Sequence, residues 1–318
     1  METQNVQILN AQILDSLDRG DEFIKKAQSA ATDYTRMQIR EDSFAFQILP
    51  PEKATDDMLD RDLTENLSII WEKEPDSPPA KWVPLQTVPD GEYITGSRYK
   101  IPFARVVTPK FTKDIDELRT TKQDIRKILT DNSIKDGLAE IDSKFIETVN
   151  SIVFAADGQG KENAYTQKIQ WKDFPVLDRT TFADALKLLP RGNADGKFRL
   201  RNYVCLMNEC TAKDLLKLDR NQIGGDLAEQ YFRDGLTTDK VMGCKTLFTI
   251  KDDLVPDGYC YFFAEPRFLG KCFYLTDWTM YMKKEAFFIE MFASWLGGMA
   301  FGNTAGMALA RFGYGNAA

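Results

Sequence analysis

Histidine occurs nowhere in the 318 residues. Its absence excludes the Ser-His-Asp and Cys-His nucleophile arrangements and every histidine metal ligand. It also removes the side chain that most often moves protons near neutral pH. Carboxylate, lysine and cysteine chemistry stay open. Cysteine is scarce: the 5 residues are Cys205, Cys210, Cys244, Cys260 and Cys272. An odd count with no C-x-x-C pair points to buried or free thiols in a reducing compartment, not to a disulfide framework or a metal knot. Basic residues are outnumbered, 41 against 48, for a net charge of -7 and a pI of about 5.0. Such a balance favours solubility and gives no reason for nucleic acid to bind over the whole surface. Long hydrophobic runs are missing too. The longest apolar stretch, Met291 to Phe301, is too short to cross a bilayer. Met1 to Gln4 begin without a basic n-region or an apolar h-region, so no secretory signal is expected. Asp157-Gly-Gln-Gly160 is not followed by the G-K-[ST] of a phosphate loop.

What is present is ordinary globular material: 43% hydrophobic and 28% charged residues, with a mean hydropathy of -0.37. The length suggests about two domains, or one with large extensions. Near 7–32, Ile8, Leu9, Ile13, Leu14, Leu17 and Ile24 recur at helical steps. Pro50-Pro51 and the acids Glu52, Asp56, Asp57, Asp60, Asp62 and Glu65 predict a loop entering a short helix or turn. The carboxylates there read as a solvated face, not an acid-base site. Leu67 to Trp71 is strand-like, and Tyr99 to Val107 reads as the returning strand. Between and around them stand Pro75, Pro78, Pro79, Pro84, Pro89, Pro102 and Pro109, with a turn signal at Asp90-Gly91. Two strands joined in this way have little core of their own and need a neighbouring surface.

From 113 to 154 the spacing predicts a long helix. Leu118, Ile125, Ile128, Leu129, Leu138, Ile141, Phe145, Val149 and Ile152 form one stripe, and Thr112 and Asp114 are candidate N-caps. If continuous, it would run roughly 60 Å, with Asn132-Ser133 and Gly137 as candidate bends. Residues 157–175 read as a loop. Residues 178–255 predict a mixed segment: a capped helix at Thr180 to Leu189, a buried strand at Tyr203 to Met207 and a Thr-capped helix at Thr211 to Leu218. A further helix opens at Gly224-Gly225, and a strand runs from Gly243 to Ile250. Residues 259–301 predict aromatic-rich strands at Tyr259–Phe263, Phe268–Leu275, Asp277–Lys283 and Glu285–Leu296. They read as sheet core and not as a base-stacking platform, because basic residues do not interleave them. Gly302 to Phe312 is small and apolar, a close-packed final strand or a turn of helix.

In this order the elements resemble the major capsid proteins of tailed bacteriophages, the Hong Kong-phage capsid fold, which encapsulins and the floor of herpesvirus capsids also use. The resemblance rests on the Pro-rich strand pair, the long helix and Val204 to Leu216 as a strand followed by a capped helix. It rests further on Gly243 to Thr249 with Val255-Pro256, and on Phe288 to Phe301 with its Gly297-Gly298 pair. It implies an α+β fold with an N-terminal arm at 1–66 and an extended β-hairpin loop at 67–111. A peripheral domain with a long spine helix would take 112–177 and 284–301, and an α/β axial domain 178–283 and 302–318. The implied function is structural, not enzymatic: pentamers and hexamers of one chain build an icosahedral virion shell in the host cytoplasm. Such a shell encloses double-stranded DNA without sequence-specific contacts and involves no membrane. Implied partners are further copies of the chain, a scaffolding protein, a portal and a decoration protein. No catalytic, cofactor-binding or metal-ligating residue is assigned. Some family members join subunits through a Lys-Asn isopeptide bond. Lys73, Lys81 and Lys100 fall in the loop and Asn303 and Asn316 near the end, but nothing local supports that chemistry. The stretch before the arm leaves no room for a large fused scaffolding domain, so a separate or short scaffold is expected.

Other readings are an encapsulin-like compartment loaded with protein cargo, another virion part such as a minor head or tail protein, and a histidine-free carboxylate enzyme. For the enzyme, no paired acids sit in an apolar segment.

Overall fold

The computed structural model describes residues 43–60, 67–73, 82–85, 91, 96–114, 125–155, 169–189, 200–215, 240–241, 243–285 and 287–313. The helices expected near 7–32 and from Gly224, and most of the 157–175 loop, lie outside them.

Helix α1 (Phe44–Ile48) starts at Ser43, whose Oγ accepts the Phe46 N–H at 3.3 Å. Strands β1 (Pro51–Lys53), β2 (Ser68–Lys73), β3 (Ser97–Pro102), β4 (Ala104–Val107) and β5 (Phe111–Asp114) follow. Helix α2 (Ile125–Val153) has 29 residues, a rod of about 44 Å. After β6 (Trp171–Phe174) comes α3 (Arg179–Ala185), then β7 (Val204–Asn208), α4 (Glu209–Asp214), β8 (Lys240–Val241), β9 (Cys244–Thr249) and β10 (Tyr259–Phe263). A short α5 (Pro266–Leu269) leads into β11 (Gly270–Glu285). β12 (Phe288–Phe301) returns antiparallel to it, and β13 (Met307–Phe312) is the last described strand, after a turn of 3-10 helix at Thr304–Gly306.

Among the described residues the strands form three sheets. The first has the order β1-β11-β12-β4, with β5 also on β12. Its axis is the long β11–β12 hairpin, in register from Gly270 opposite Phe301 to Glu285 opposite Phe288, with irregularities between Tyr274 and Thr279. The second has the order β6-β13-β10-β7-β9-β8, and the third is β2-β3 alone.

The second sheet shows why its strands read as nearly continuous apolar runs: both faces are covered. Alternate residues go to opposite sides. Leu206, Tyr261, Phe263 and Leu309 face α2, where they meet Leu138, Ile141, Phe145 and Val149. Cys205, Met207, Phe262 and Ala310 face α3 and α4 and meet Phe182, Ala185, Ala212 and Leu215. The same flank of α2 also takes Trp278, Met280 and Trp295 from the first sheet. One helix is therefore a strut shared by two sheets.

Several expectations are corrected. Thr112 and Asp114 are not helix caps. They lie in β5, which pairs with Phe288 to Met291, a partner that no local pattern reveals. The returning strand is divided at Phe103: β3 pairs with β2, whereas β4 pairs with β12. Gly137 does not bend α2. A Cβ there would meet the Trp278 ring, 2.7 Å from Cζ2, so the glycine provides a seat for an indole. Helix α3 is capped by Asp178 in a capping box with Thr181, and α4 by Asn208, whose Oδ1 accepts the Cys210 N–H at 2.8 Å. Phe268–Leu275 and Asp277–Lys283 are not separate strands: β11 runs from Gly270 through both, and Phe268 and Leu269 belong to α5. β11 shares a sheet with β12, β6 shares one with β13, and β4 and β5 join the first sheet.

Candidate assembly surfaces

The small β2–β3 sheet sits on the first sheet through one side only. Ile69 and Ile101 are buried against Phe273 and Ala54. The Trp71 ring lies 5.3 Å from Phe273, and Lys271 Nζ lies 5.4 Å over Trp71 while pairing with Glu52. Glycines set how closely the strands approach. A Cβ at Gly298 would come within 2.9 Å of the Pro102 carbonyl carbon, and one at Gly302 within 2.6 Å of the Tyr99 ring. The base of β3 is thus received by residues without side chains. Glu72 and Arg98 pair at 2.7 Å on the surface, a contact of little energetic weight.

The connection between β2 and β3 carries Trp82, 104% exposed, and Leu85, 97% exposed, with Val83 half-exposed between them. Scattered surface aliphatics need no explanation, but a wholly solvated Trp beside a Leu is the composition of a binding anchor. Phe287 and Phe288, at the turn of the β11–β12 hairpin, are also exposed.

A groove of about 1020 Å³ runs between β4, α2 and β12. Gly137, Trp295, Gly297 and Gly298 line it together with Val106 and Ala139, and Asp136, Glu140 and Asp253 stand among its lining residues.

A buried junction joins three distant segments. Asp142, on α2, has no solvent exposure. Its Oδ1 accepts from Ser43 Oγ at 2.7 Å and from the Ala45 N–H at 3.1 Å, and Lys251 Nζ stands 2.6 Å from Oδ2. Burial pushes its carboxyl above the ordinary value, although Lys251, Ser43 and Ala45 all pull it down. The group is a tether.

The other chemically active side chains are dispersed. Glu52 pairs with Lys271, and Asp60 lies 3.8 Å from Lys100. Asp56 and Asp57 sit in a 3-10 turn, and Asp62 and Glu65 lie outside the described residues. Among the described residues no three Cys, Asp or Glu side chains converge as metal ligands, and no helix is long and apolar enough to cross a membrane. All five cysteines are free, with Cys210 exposed and Cys205, Cys244, Cys260 and Cys272 buried. Burial raises the Cys205 and Cys244 thiols and pushes Cys272 up to about 12. Of the lysines and asparagines considered for cross-linking, Asn303 is buried and caps the Thr304–Gly306 turn, accepting the Ala305 N–H at 3.1 Å. Lys73 and Lys100 lie in β2 and β3, and Lys81 and Asn316 are outside the described residues. Sequence reasoning missed the groove and the Asp142 junction. Of these, only the paired Gly297-Gly298 within an aromatic strand carried a local signal.

No protein-family model and no curated protein matches the sequence. Solved structures do match. A chain of the mature capsid of bacteriophage PhiM1 superposes with a TM-score of 0.57 at 10% identity, over 86% of this chain and 88% of that one. A capsid chain of cyanophage P-SCSP1u gives 0.51 at 11% identity, over 77% and 83%. A capsid chain of a native GTA particle gives 0.51 at 14% identity, over 84% and 88%. These superpositions, over most of each chain, show the fold: it is that of the tailed-bacteriophage major capsid proteins.

Proposed function

We propose that this chain is the structural subunit of a closed protein shell, the head of a tailed phage, and that it does no catalysis. The observation that carries the reading is the match, over most of both chains, to a subunit of a mature phage capsid. In this reading the first sheet with α2 corresponds to a peripheral domain, the second sheet to an axial domain and β2–β3 to the extended loop.

The surfaces support this. A two-stranded sheet seated through one side, with a solvated Trp82 and Leu85 on its connection, is poorly stabilised in a lone subunit. Laid on a neighbour, it gains buried apolar area. Repetition of modest contacts over a shell gives large collective stability. A head made from one chain also requires contacts that differ between five-fold and six-fold positions. The shell's location is the virion, its content double-stranded DNA held without sequence-specific contacts. Its further partners are a scaffolding protein, a portal and a decoration protein.

Electron microscopy of the expressed chain after size-exclusion chromatography tests the reading. Closed particles hundreds of ångströms across support it, and their content, DNA or a protein cargo, separates a phage head from a cargo compartment. A monodisperse monomer or dimer, even with a scaffold protein supplied, would overturn it. Deletion of residues 75–96 is expected to leave a soluble subunit that builds no shells.

A further inference from the structure

We propose that the second sheet holds a binding site for one cuprous ion, with the sulfurs of Cys205, Met207 and Cys260 as its ligands. The site is independent of the shell reading. Cys260 on β10 stands directly opposite Met207 on β7, and Cys205 lies two residues before Met207. Residues two apart on a strand share a face. Three sulfurs therefore meet on the side of the sheet that faces α3 and α4. All three side chains are wholly buried, and the Cys205 and Cys260 thiols are hydrogen-bonded neighbours.

The chemistry of the face selects the ion. The register partners around the trio are Phe262 and Thr246 beside Cys205, Phe248 beside Met207 and Ala310 beside Cys260. None is a carboxylate, so a hard cation such as Mg²⁺ or Ca²⁺ finds no adequate ligand set there. Thiols and a thioether are soft donors and favour Cu⁺. Cys244 flanks the trio on β9, but its Sγ contacts the Asn202 carbonyl at 3.7 Å, and it is not needed as a ligand. The two thiols cannot close a disulfide without backbone movement. Diagonal positions on paired strands have Cα atoms about 7–8 Å apart, beyond the roughly 4.4–6.8 Å that a disulfide spans. They stay reduced and able to bind.

Binding changes no oxidation state. One S–H bond breaks, its proton leaves to solvent, and a Cu–S bond forms to the thiolate. The second thiol and the Met207 thioether each donate a lone pair. One positive ion replaces one proton, so the trio stays neutral, as an apolar interior requires. The bound ion ties β7 to β10 in the middle of the sheet and stabilises the folded chain by mass action. Because no sulfur of the trio reaches solvent, exchange is slow and loading accompanies folding or local opening.

The test uses the full-length chain with Cys210→Ser, which removes the exposed thiol. The chain is refolded with Cu⁺ supplied as its bicinchoninate complex, whose colour fades as copper is withdrawn. One equivalent withdrawn per chain, with a higher thermal midpoint and sulfur-only ligation in copper X-ray absorption, is the expected result. Met207→Leu keeps the volume of the core and should weaken binding several-fold. Cys205→Ala and Cys260→Ala should abolish it, and Cys272→Ala, in the first sheet, should leave it unchanged. No withdrawal of copper, or withdrawal undiminished in Met207→Leu and in whichever cysteine variants fold, would overturn the proposal. Copper taken up only with loss of the native circular dichroism would show that the thiols bind in the unfolded chain, which overturns it too.

Discussion

Lys251 Nζ stands 2.6 Å from Asp142 Oδ2, and through that one carboxylate the loop after β9 is tied to α2 and to the cap of α1. The pair is asymmetric, because Asp142 has no exposure while the Lys251 side chain keeps 27%. A lost carboxylate would therefore strand the Ser43 hydroxyl and the Ala45 N–H in the interior but leave the ammonium partly hydrated. Asp142→Ala is expected to cost about 3 kcal/mol, the low end for breaking a buried pair. Equilibrium urea unfolding checks this, and a loss under about 1 kcal/mol would show the tether to be energetically idle.

The same group sets a pH dependence. Its folded-state pKa is raised, burial being the largest cause. The folded state therefore binds the proton more tightly than the unfolded state. The stability this linkage contributes is full below the ordinary carboxylate value and is lost as pH rises through the raised one. Asp142→Asn removes that decline. Urea midpoints measured from pH 3 to 7 should fall more steeply with rising pH in the parent than in Asp142→Asn. Parallel curves would contradict the assignment.

Gly137 and Trp278 make a second test. Alanine is the better helix former by about 1 kcal/mol, so at an open helical site Gly137→Ala would stabilise. Here the new Cβ collides with the indole, and a net loss of about 1–3 kcal/mol is expected. Trp278→Phe shortens the ring that blocks the site. The double variant should be more stable than the sum of the two single losses, and thermal unfolding of the four chains gives the coupling directly. Additive losses would mean that the two positions do not touch.

Arg311 gives a third. Its guanidinium meets Asp173 through two contacts, of 2.6 and 2.9 Å, and lies 4.8 Å from the Trp171 ring. A lysine keeps the charge but not the fork or the stacking plane. Arg311→Lys is expected to lower stability by about 1–2 kcal/mol, loosening the edge where β6 joins β13. A change within experimental error would show that charge alone is sufficient.

Thiol accessibility is the simplest check. Cys210 is exposed and the remaining four cysteines are buried. Ellman's reagent should titrate one thiol per native chain and all 5 after unfolding. Two or more fast-reacting thiols in the native protein would show the first sheet at Cys272 or the second at Cys205, Cys244 or Cys260 to be open.

Local patterns were legible where one element alone answers for its residues. The stripe Leu138, Ile141, Phe145, Val149 buries one face of α2 at helical spacing. Val204 to Met207 reads as a covered strand because every residue of it is buried. Helix starts were read less well. Thr180 and Thr211 were the expected caps, but Asp178 and Asn208 supply the oxygens. Ser, Thr, Asp and Asn are all competent there, and only backbone geometry selects among them. Whether Phe111 to Asp114 opened the helix or formed a strand depended on Phe288 to Met291, far along the chain.

Composition and spacing alone determined that no histidine acts in this chain and that enough apolar material exists for a core of alternating strands and a long amphipathic helix. Those conclusions follow from residue type and spacing, which are local. Tertiary structure decided which strands share a sheet, why Gly137, Gly298 and Gly302 must lack side chains, where Asp142 finds its cation, and that a groove lies beside the strut. Each depends on residues brought together from distant parts of the chain, and close packing leaves room there for one arrangement of side chains.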